Sequence, residues 1–339
     1  MRRQLGHPQR WRSLSKYFFV AIAVALTSVT PVAAHAATMK PSLDQIENYV
    51  SHSLTPPKQS GLLTTEPMLP QLTTDDSTLM PHRIGCWSNA VTQGLARNPS
   101  VECAYGDTRA SKVVLLTGDS LAGMWLPTFN ALGKANHWRI VFLGMRGCAP
   151  WGSPNDPKFI MYGTITARAC TKFSASVVKW AMRHHPDAVF MAGRAYPKGR
   201  DFDKTPEIGP FKVALGQSMK AFRPSGAQLF IMGPTPRYAY GTVGVEAKDC
   251  ILGARPMKAC LLRPTKVVPQ TEMQVEKYYH DAGRITMIDV QSLFCAVKSC
   301  TVFVDDGKKK HLVFFDSVHI NRYYASWISK AVGEKIGEL

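Results

Sequence analysis

From Lys112 onward the chain alternates between two rhythms of hydrophobic and polar positions. Lys112–Thr117 is an unbroken apolar run around Val113-Val114-Leu115-Leu116, the pattern of a strand buried on both faces. A helix-like stretch follows to Asn136, then a second strand at Arg139–Leu143. Thr171–His185 carries Val177, Val178, Ala181 and Met182 at helical spacing, with Pro186 just past its end. The cycle continues with strand Ala188–Ala192, helix Phe211–Phe222, strand Gln228–Met232, helix Gln270–Asp281, strand Ile285–Val290 and a last helix, Arg322–Gly333. Strands separated by helices predict an α/β protein whose parallel sheet carries helices on both faces. No internal repeat interrupts the pattern.

Before Lys112 the rhythm is different. Arg2, Arg3, Arg10, Arg12 and Lys16 precede an apolar run from Tyr17 to Val29, and Ala34-His35-Ala36 supplies small residues for cleavage. This order predicts an export signal over residues 1–36 and a mature protein outside the cytoplasm. A signal anchor is the other reading, although the apolar run is shorter than the roughly 20 residues of a comfortable span. Residues 37–85 read as a leader. Ser42 is placed to cap a short helix with Leu43, Ile46 and Val50 on one face. Leu54–Pro81 is rich in Pro and Thr and reads as a linker or wrapping arm. Residues 235–268 are also irregular and Pro-rich, and predict an insertion over one edge.

Cysteine use agrees with export. Cys86, Cys103, Cys148, Cys170, Cys250, Cys260, Cys295 and Cys300 all lie beyond the signal, and an even count in an oxidising compartment implies disulfides. Of the 105 possible pairings, the sequence-adjacent one (86–103, 148–170, 250–260, 295–300) closes four short loops and is the expectation. No C-x-x-C pair or His-rich spacing suggests a metal, and no cofactor is implied. Five basic and no acidic residues lie in the signal, so the formal charge of +17 falls to +12 beyond it. The basic residues are scattered rather than striped along one helix, so nucleic acid is not the expected partner. An anionic envelope polymer or membrane surface fits that charge.

Two short blocks carry candidate chemistry. In Val113-Val114-Leu115-Leu116-Thr117-Gly118-Asp119-Ser120-Leu121 a buried strand runs through Gly-Asp-Ser directly into a helix. That places Ser120 at the carboxyl edge of the sheet, where open α/β folds bind ligands, with its backbone N–H at a helix N-terminus. An ordinary helix N-cap is the competing account of Ser120. Near the other end stands Phe314-Phe315-Asp316-Ser317-Val318-His319-Ile320-Asn321. A serine hydroxyl needs a base to take its proton, and the base needs an orienting carboxylate; Asp-x-x-His supplies both from one turn.

Together the two blocks resemble the SGNH/GDSL hydrolase superfamily. More narrowly, the chain from about Cys86 onward resembles the SGNH domain attached to bacterial membrane acyltransferases that O-acylate surface glycans. The points of resemblance are a cysteine pair before the first strand, Cys148-Ala149-Pro150 after the second, Arg194 after the third and a cysteine pair before Asp-x-x-His. The resemblance implies an SGNH hydrolase-like domain over 86–339, a flavodoxin-like three-layer α/β/α sandwich with a mostly parallel sheet. It implies Ser120 as nucleophile, His319 as general base and Asp316 as its orienter. Oxyanion donors would be the N–H of Ser120, Gly147 (Gly144 as fallback) and Arg194. Two positions depart from the family pattern: Leu121 stands where a His often follows the serine, and Ala192-Gly193-Arg194-Ala195 stands where an Asn is usual.

The expected activity is that of an extracytoplasmic serine O-acyltransferase or esterase on acyl, chiefly acetyl, esters of cell-envelope glycans. A glycan or glycolipid is then the substrate, and a separate membrane acyltransferase the acyl donor. The competing classes are a non-catalytic glycan-binding protein of the same fold and a secreted lipase-type esterase. Trp125, Trp151, Tyr162 and Tyr196 are candidates for stacking on sugar rings, against a plainer role in the core or rim. Lys308-Lys309-Lys310, between Asp305-Asp306-Gly307 and an apolar run, predicts an exposed hairpin tip.

Overall fold

Helix α1 (Leu43–Ser53) forms where the leader's short amphipathic stretch predicts it. The Ser42 hydroxyl accepts the Gln45 N–H while the Gln45 side chain accepts the Ser42 N–H, a capping box that satisfies donors at both positions. Ile46 and Val50 are buried. The computed structural model describes residues 40–54, 86–88, 95, 97–151, 160–162, 165–195, 207–237, 261, 263–264, 268–314, 316 and 318–339. The expected export signal, residues 55–85 of the leader, the expected Cys250–Cys260 pair, positions 238–260 of the expected insertion, Tyr196 and the Tyr162 side chain lie outside the described residues.

After α1 come β1 (Trp87–Ser88), α2 (Pro99–Glu102) and β2 (Ala104–Gly106). The alternation then runs β3 (Lys112–Gly118), α3 (Ser120–Asn136), β4 (Trp138–Met145), the antiparallel pair β5 (Ile160–Tyr162) and β6 (Ile165–Thr166), and α4 (Ala167–His184). It continues with β7 (Ala188–Ala192), α5 (Ile208–Phe222), β8 (Gln228–Met232), α6 (Gln270–Asp281) and β9 (Thr286–Ile288). The hairpin β10 (Phe303–Asp305) and β11 (Lys310–Leu312) and helices α7 (Arg322–Trp327) and α8 (Ser329–Ile336) complete the chain.

The main sheet is ordered β1-β4-β3-β7-β8-β9, with β2 also on β4. Every pair is parallel except β2 with β4. Numbered along the chain, the five principal strands stand 2-1-3-4-5, the flavodoxin-like order, whose switch point falls between β3 and β7. Successive strand residues face opposite sides: Val114, Leu116, Phe142 and Phe190 pack with α1, α3, α7 and α8, while Leu115, Val141, Val189 and Met191 pack with α4, α5 and α6. The result is the expected three-layer α/β/α arrangement.

The edge beside β4 is built from two short pieces. Gly144 donates its N–H to the Cys86 carbonyl and Phe142 to the Cys103 carbonyl, and the Cys86–Cys103 disulfide joins the pieces there. Cys148–Cys170 ties the chain after β4 to α4, and Cys295–Cys300 closes a short loop before β10. Three of the four expected pairings are therefore present among the described residues.

The structure adjusts several boundaries. The last helix is broken at Ile328 into α7 and α8, although Ile328 still donates to the Tyr324 carbonyl. The strand expected over Ile285–Val290 ladders only at Thr286–Ile288, because the chain turns into a single 3-10 turn at Gln291–Leu293. The Lys-rich run does form a hairpin tip, where Asp306 accepts the N–H groups of Lys308 and Lys309 at 2.8 and 2.7 Å. No helix among the described residues is long and apolar enough to cross a membrane.

Candidate active site

The carboxyl ends of β3 and β7, at the switch point, bring the Gly-Asp-Ser block beside Ala192-Gly193-Arg194-Ala195. Gly118 pairs with Ala192 across the sheet. Its φ is +148°, and a Cβ there would lie 1.7 Å from the Ala192 carbonyl oxygen, so only glycine allows the two strand ends to meet.

The N-cap of α3 is Asp119, not Ser120. Asp119 is 1% exposed, and its Oδ1 accepts the Leu121 N–H at 2.8 Å. Its main-chain carbonyl accepts the N–H groups of Ala122 and Gly123. Of the first four helical N–H groups, only that of Ser120 is left without a partner among the described residues. The capping duty assigned to Asp119 also frees the Ser120 hydroxyl, which begins the helix half-buried at the sheet edge. The positive end of the α3 dipole lies at the same point.

Asp119 has a second partner. Its Oδ2 accepts the N–H of Arg194 at 2.9 Å, joining the serine block to the segment after β7. Trp151 Nε1 donates to the Arg194 carbonyl at 3.2 Å, so that residue's backbone is held from both sides.

On the C-terminal loop, His319 Nδ1 lies 2.7 Å from Asp316 Oδ2. Asp316 Oδ1 accepts the N–H groups of both Val318 and His319 at 2.7 Å. Burial would raise the Asp316 carboxyl. The His319 hydrogen bond, the His319 charge and the two N–H bonds outweigh that effect and hold it below the ordinary carboxylate range. The opposite ring nitrogen, Nε2, is screened from solvent.

The loop is seated on α3. Ile320 donates its N–H to the Met124 sulfur at 3.4 Å, and Thr128 donates its hydroxyl to the Ala325 carbonyl at 2.6 Å. Ser120, Met124 and Thr128 are four apart and share one stripe of the helix. Residues 320–325 thus follow the stripe that Ser120 begins, and His319 precedes Ile320 by one residue.

Gly147 is buried at the third position of a tight turn, with φ +63° and a Cys148 N–H to Met145 carbonyl bond of 3.0 Å. The fallback, Gly144, spends its N–H on Cys86 within the sheet. Trp125 and Trp151 are both buried, edge-on to Phe294 and Phe211 respectively, and hold the core rather than offering a face to a sugar. Nothing in the local sequence pointed to Met124 or to the second bond of Asp119; both depend on segments far apart in the chain.

A family model described as the SGNH domain (fused to AT3 domains) matches residues 87–334. The chain belongs to this family. This SGNH protein is an acyltransferase or esterase. Among solved structures, the periplasmic domain of a Salmonella ser. Paratyphi A lipopolysaccharide acetyltransferase aligns with a TM-score of 0.50 at 13% identity, covering 74% of this chain and 91% of that one. A putative acylhydrolase from Bacteroides fragilis aligns at 0.40 and 13%, over 71% and 94%. A variant of a Geobacillus acetyl-xylooligosaccharide esterase aligns at 0.40 and 13%, over 68% and 96%. At 13% identity the likeness to the Salmonella domain concerns the fold alone. No curated protein matches the sequence.

Proposed function

We propose that this SGNH protein transfers acyl groups, chiefly acetyl, on cell-envelope glycans outside the cytoplasm through an acyl-enzyme on Ser120. The observation that carries the reading is the 2.7 Å bond between His319 Nδ1 and Asp316 Oδ2, on a loop tied to the α3 stripe that Ser120 begins.

In this mechanism Asp316 stays ionised and fixes the His319 tautomer with its proton on Nδ1, leaving Nε2 as the base. Nε2 takes the Ser120 hydroxyl proton as Oγ attacks the ester carbonyl, forming a tetrahedral oxyanion. The N–H of Ser120, the α3 N-terminus, Gly147 and Arg194 are assigned to that oxygen; losing one such donor typically costs about 100- to 1,000-fold in turnover. Collapse breaks the bond to the donor's oxygen, which leaves with the proton from His319. An acceptor hydroxyl, of a sugar or of water, then loses its proton to His319 and attacks the acyl-enzyme, and the same proton returns to Ser120 Oγ.

The family's fusion to AT3 domains supports a membrane acyltransferase as the acyl donor. The three disulfides support an extracytoplasmic setting, in keeping with the export signal expected over residues 1–36. The test is acyl release from p-nitrophenyl acetate by oxidised protein, beside Ser120→Ala, with and without a glycan acceptor. Ser120-dependent release that a glycan diverts into an acetylated sugar is expected. Equal background in both proteins would overturn the nucleophile, and release that no glycan diverts would overturn the transferase reading in favour of an esterase.

A further inference from the structure

We propose that Glu272, gripped by Arg237, is a positioning residue of this site: it fixes the main chain at Arg194–Ala195 and holds the oxyanion side in register with Ser120. The proposal rests on the reading of Ser120 as nucleophile given above.

Beyond Ala192 the chain leaves the ladder of β7 and needs other partners for its N–H groups. Two buried carboxylates take consecutive ones. Asp119 Oδ2 accepts from Arg194 at 2.9 Å and Glu272 Oε1 accepts from Ala195 at 2.7 Å. Asp119 adjoins Ser120 in the chain. Glu272 comes from the first turn of α6, far away in sequence, and its bond to Ala195 links that helix to the site.

Glu272 is itself oriented. Arg237 Nη2 donates to Oε2 at 2.6 Å and Nη1 to Oε1 at 3.1 Å, with side chains 9% and 1% exposed. A bidentate pair fixes the plane of the carboxylate as well as its place. A buried ion pair is weak support for stability, because desolvation offsets most of the attraction. Orientation accounts for it better here. Arg237 lies in the segment after β8, so one carboxylate cross-links the loops after β7 and β8, both at the catalytic edge.

Glu276, one turn further along α6, is buried beside the pair. Burial and the Glu272 charge push its carboxyl well up, against the opposing pull of Arg237, which favours the neutral form of Glu276.

The test uses Glu272→Gln, Arg237→Met and Arg237→Lys, with two readouts: steady-state hydrolysis of p-nitrophenyl acetate and amide hydrogen exchange of the peptide carrying Gly193–Ala195. Glu272→Gln is near-isosteric but sets an N–H donor against either the guanidinium or the Ala195 N–H. It and Arg237→Met should lower kcat by about 10-fold or more with KM changed less than about 2-fold, and raise exchange at 194–195. Arg237→Lys, which keeps the charge and one hydrogen bond, should recover most of the lost kcat. Unchanged exchange at 194–195 in Glu272→Gln would overturn the positioning role, as would faster exchange with kcat intact. Wild type compared with Ser120→Ala reads separately on the nucleophile, and if that assignment fails the exchange measurement still decides whether Glu272 holds this segment.

Discussion

The Met124 sulfur receives the backbone N–H of Ile320 at 3.4 Å, one turn along α3 from Ser120. A thioether is a weak acceptor, but Met124 is also buried in the core, so the contact joins packing to loop placement. Met124→Ala removes both and should cost about 2–5 kcal/mol of stability. Met124→Leu keeps the volume and should cost less than about 1.5 kcal/mol. Because only the sulfur contact is lost in Met124→Leu, its kcat should fall further than its stability suggests. Denaturant titration beside ester-hydrolysis kinetics measures both, and an unchanged kcat in Met124→Leu would show that the loop is placed by other contacts.

Gly118→Ala should be among the most damaging single changes in the protein. The new Cβ would sit 1.7 Å from the Ala192 oxygen, and the positive φ strains any L side chain. Strand ends cannot separate without breaking the β3–β7 ladder, so a loss above about 4 kcal/mol is expected, in the range where one change unfolds a domain. Soluble, oxidised Gly118→Ala with wild-type thermal stability would contradict this account of the Gly-Asp-Ser turn.

The pattern of strands and helices was legible because each buried strand is apolar throughout and each helix repeats its apolar positions. Ala188–Ala192, Gln228–Met232 and Gln270–Asp281 form with the expected boundaries. The helix break at Ile328 was not legible, since apolar spacing persists across it. Nor were β1 and β2 on the edge of β4, pieces of two and three residues too short for any periodicity. At the candidate site, Gly-Asp-Ser and Asp-x-x-His are local signals and could be read. The Arg237–Glu272 grip could not, because its members are 35 positions apart and only the fold brings them together.

A pH dependence follows from a second His–Asp pair. His311 Nε2 lies 2.9 Å from Asp306 Oδ2, and its ring stacks on Trp327 with centroids 3.6 Å apart. Burial lowers the His311 pKa from its usual 6.5, and Asp306 offsets this only in part. The folded state therefore resists a proton that the unfolded chain accepts. Stability is fully present above the unfolded value of 6.5 and is lost as pH falls through it toward the lower folded value. The hairpin carrying His311 runs on through Val313, whose N–H binds the Val302 carbonyl, toward Asp316. Thermal midpoints measured from about pH 7.5 to about pH 5 should fall, and the fall should be smaller in His311→Gln, which cannot take up the proton. An equal fall in both proteins would assign the effect to other groups.

In the proposed reaction Ser120 Oγ carries the acyl group, and His319 with Asp316 makes it reactive. The direct measurement is peptide mass spectrometry of oxidised protein after brief exposure to an organophosphorus serine reagent, for wild type, Ser120→Ala and His319→Ala. Stoichiometric labelling is expected at Ser120 in wild type, none at that position in Ser120→Ala, and strongly slowed labelling in His319→Ala. Labelling confined to another residue, or labelling of Ser120 at the same rate without His319, would contradict it.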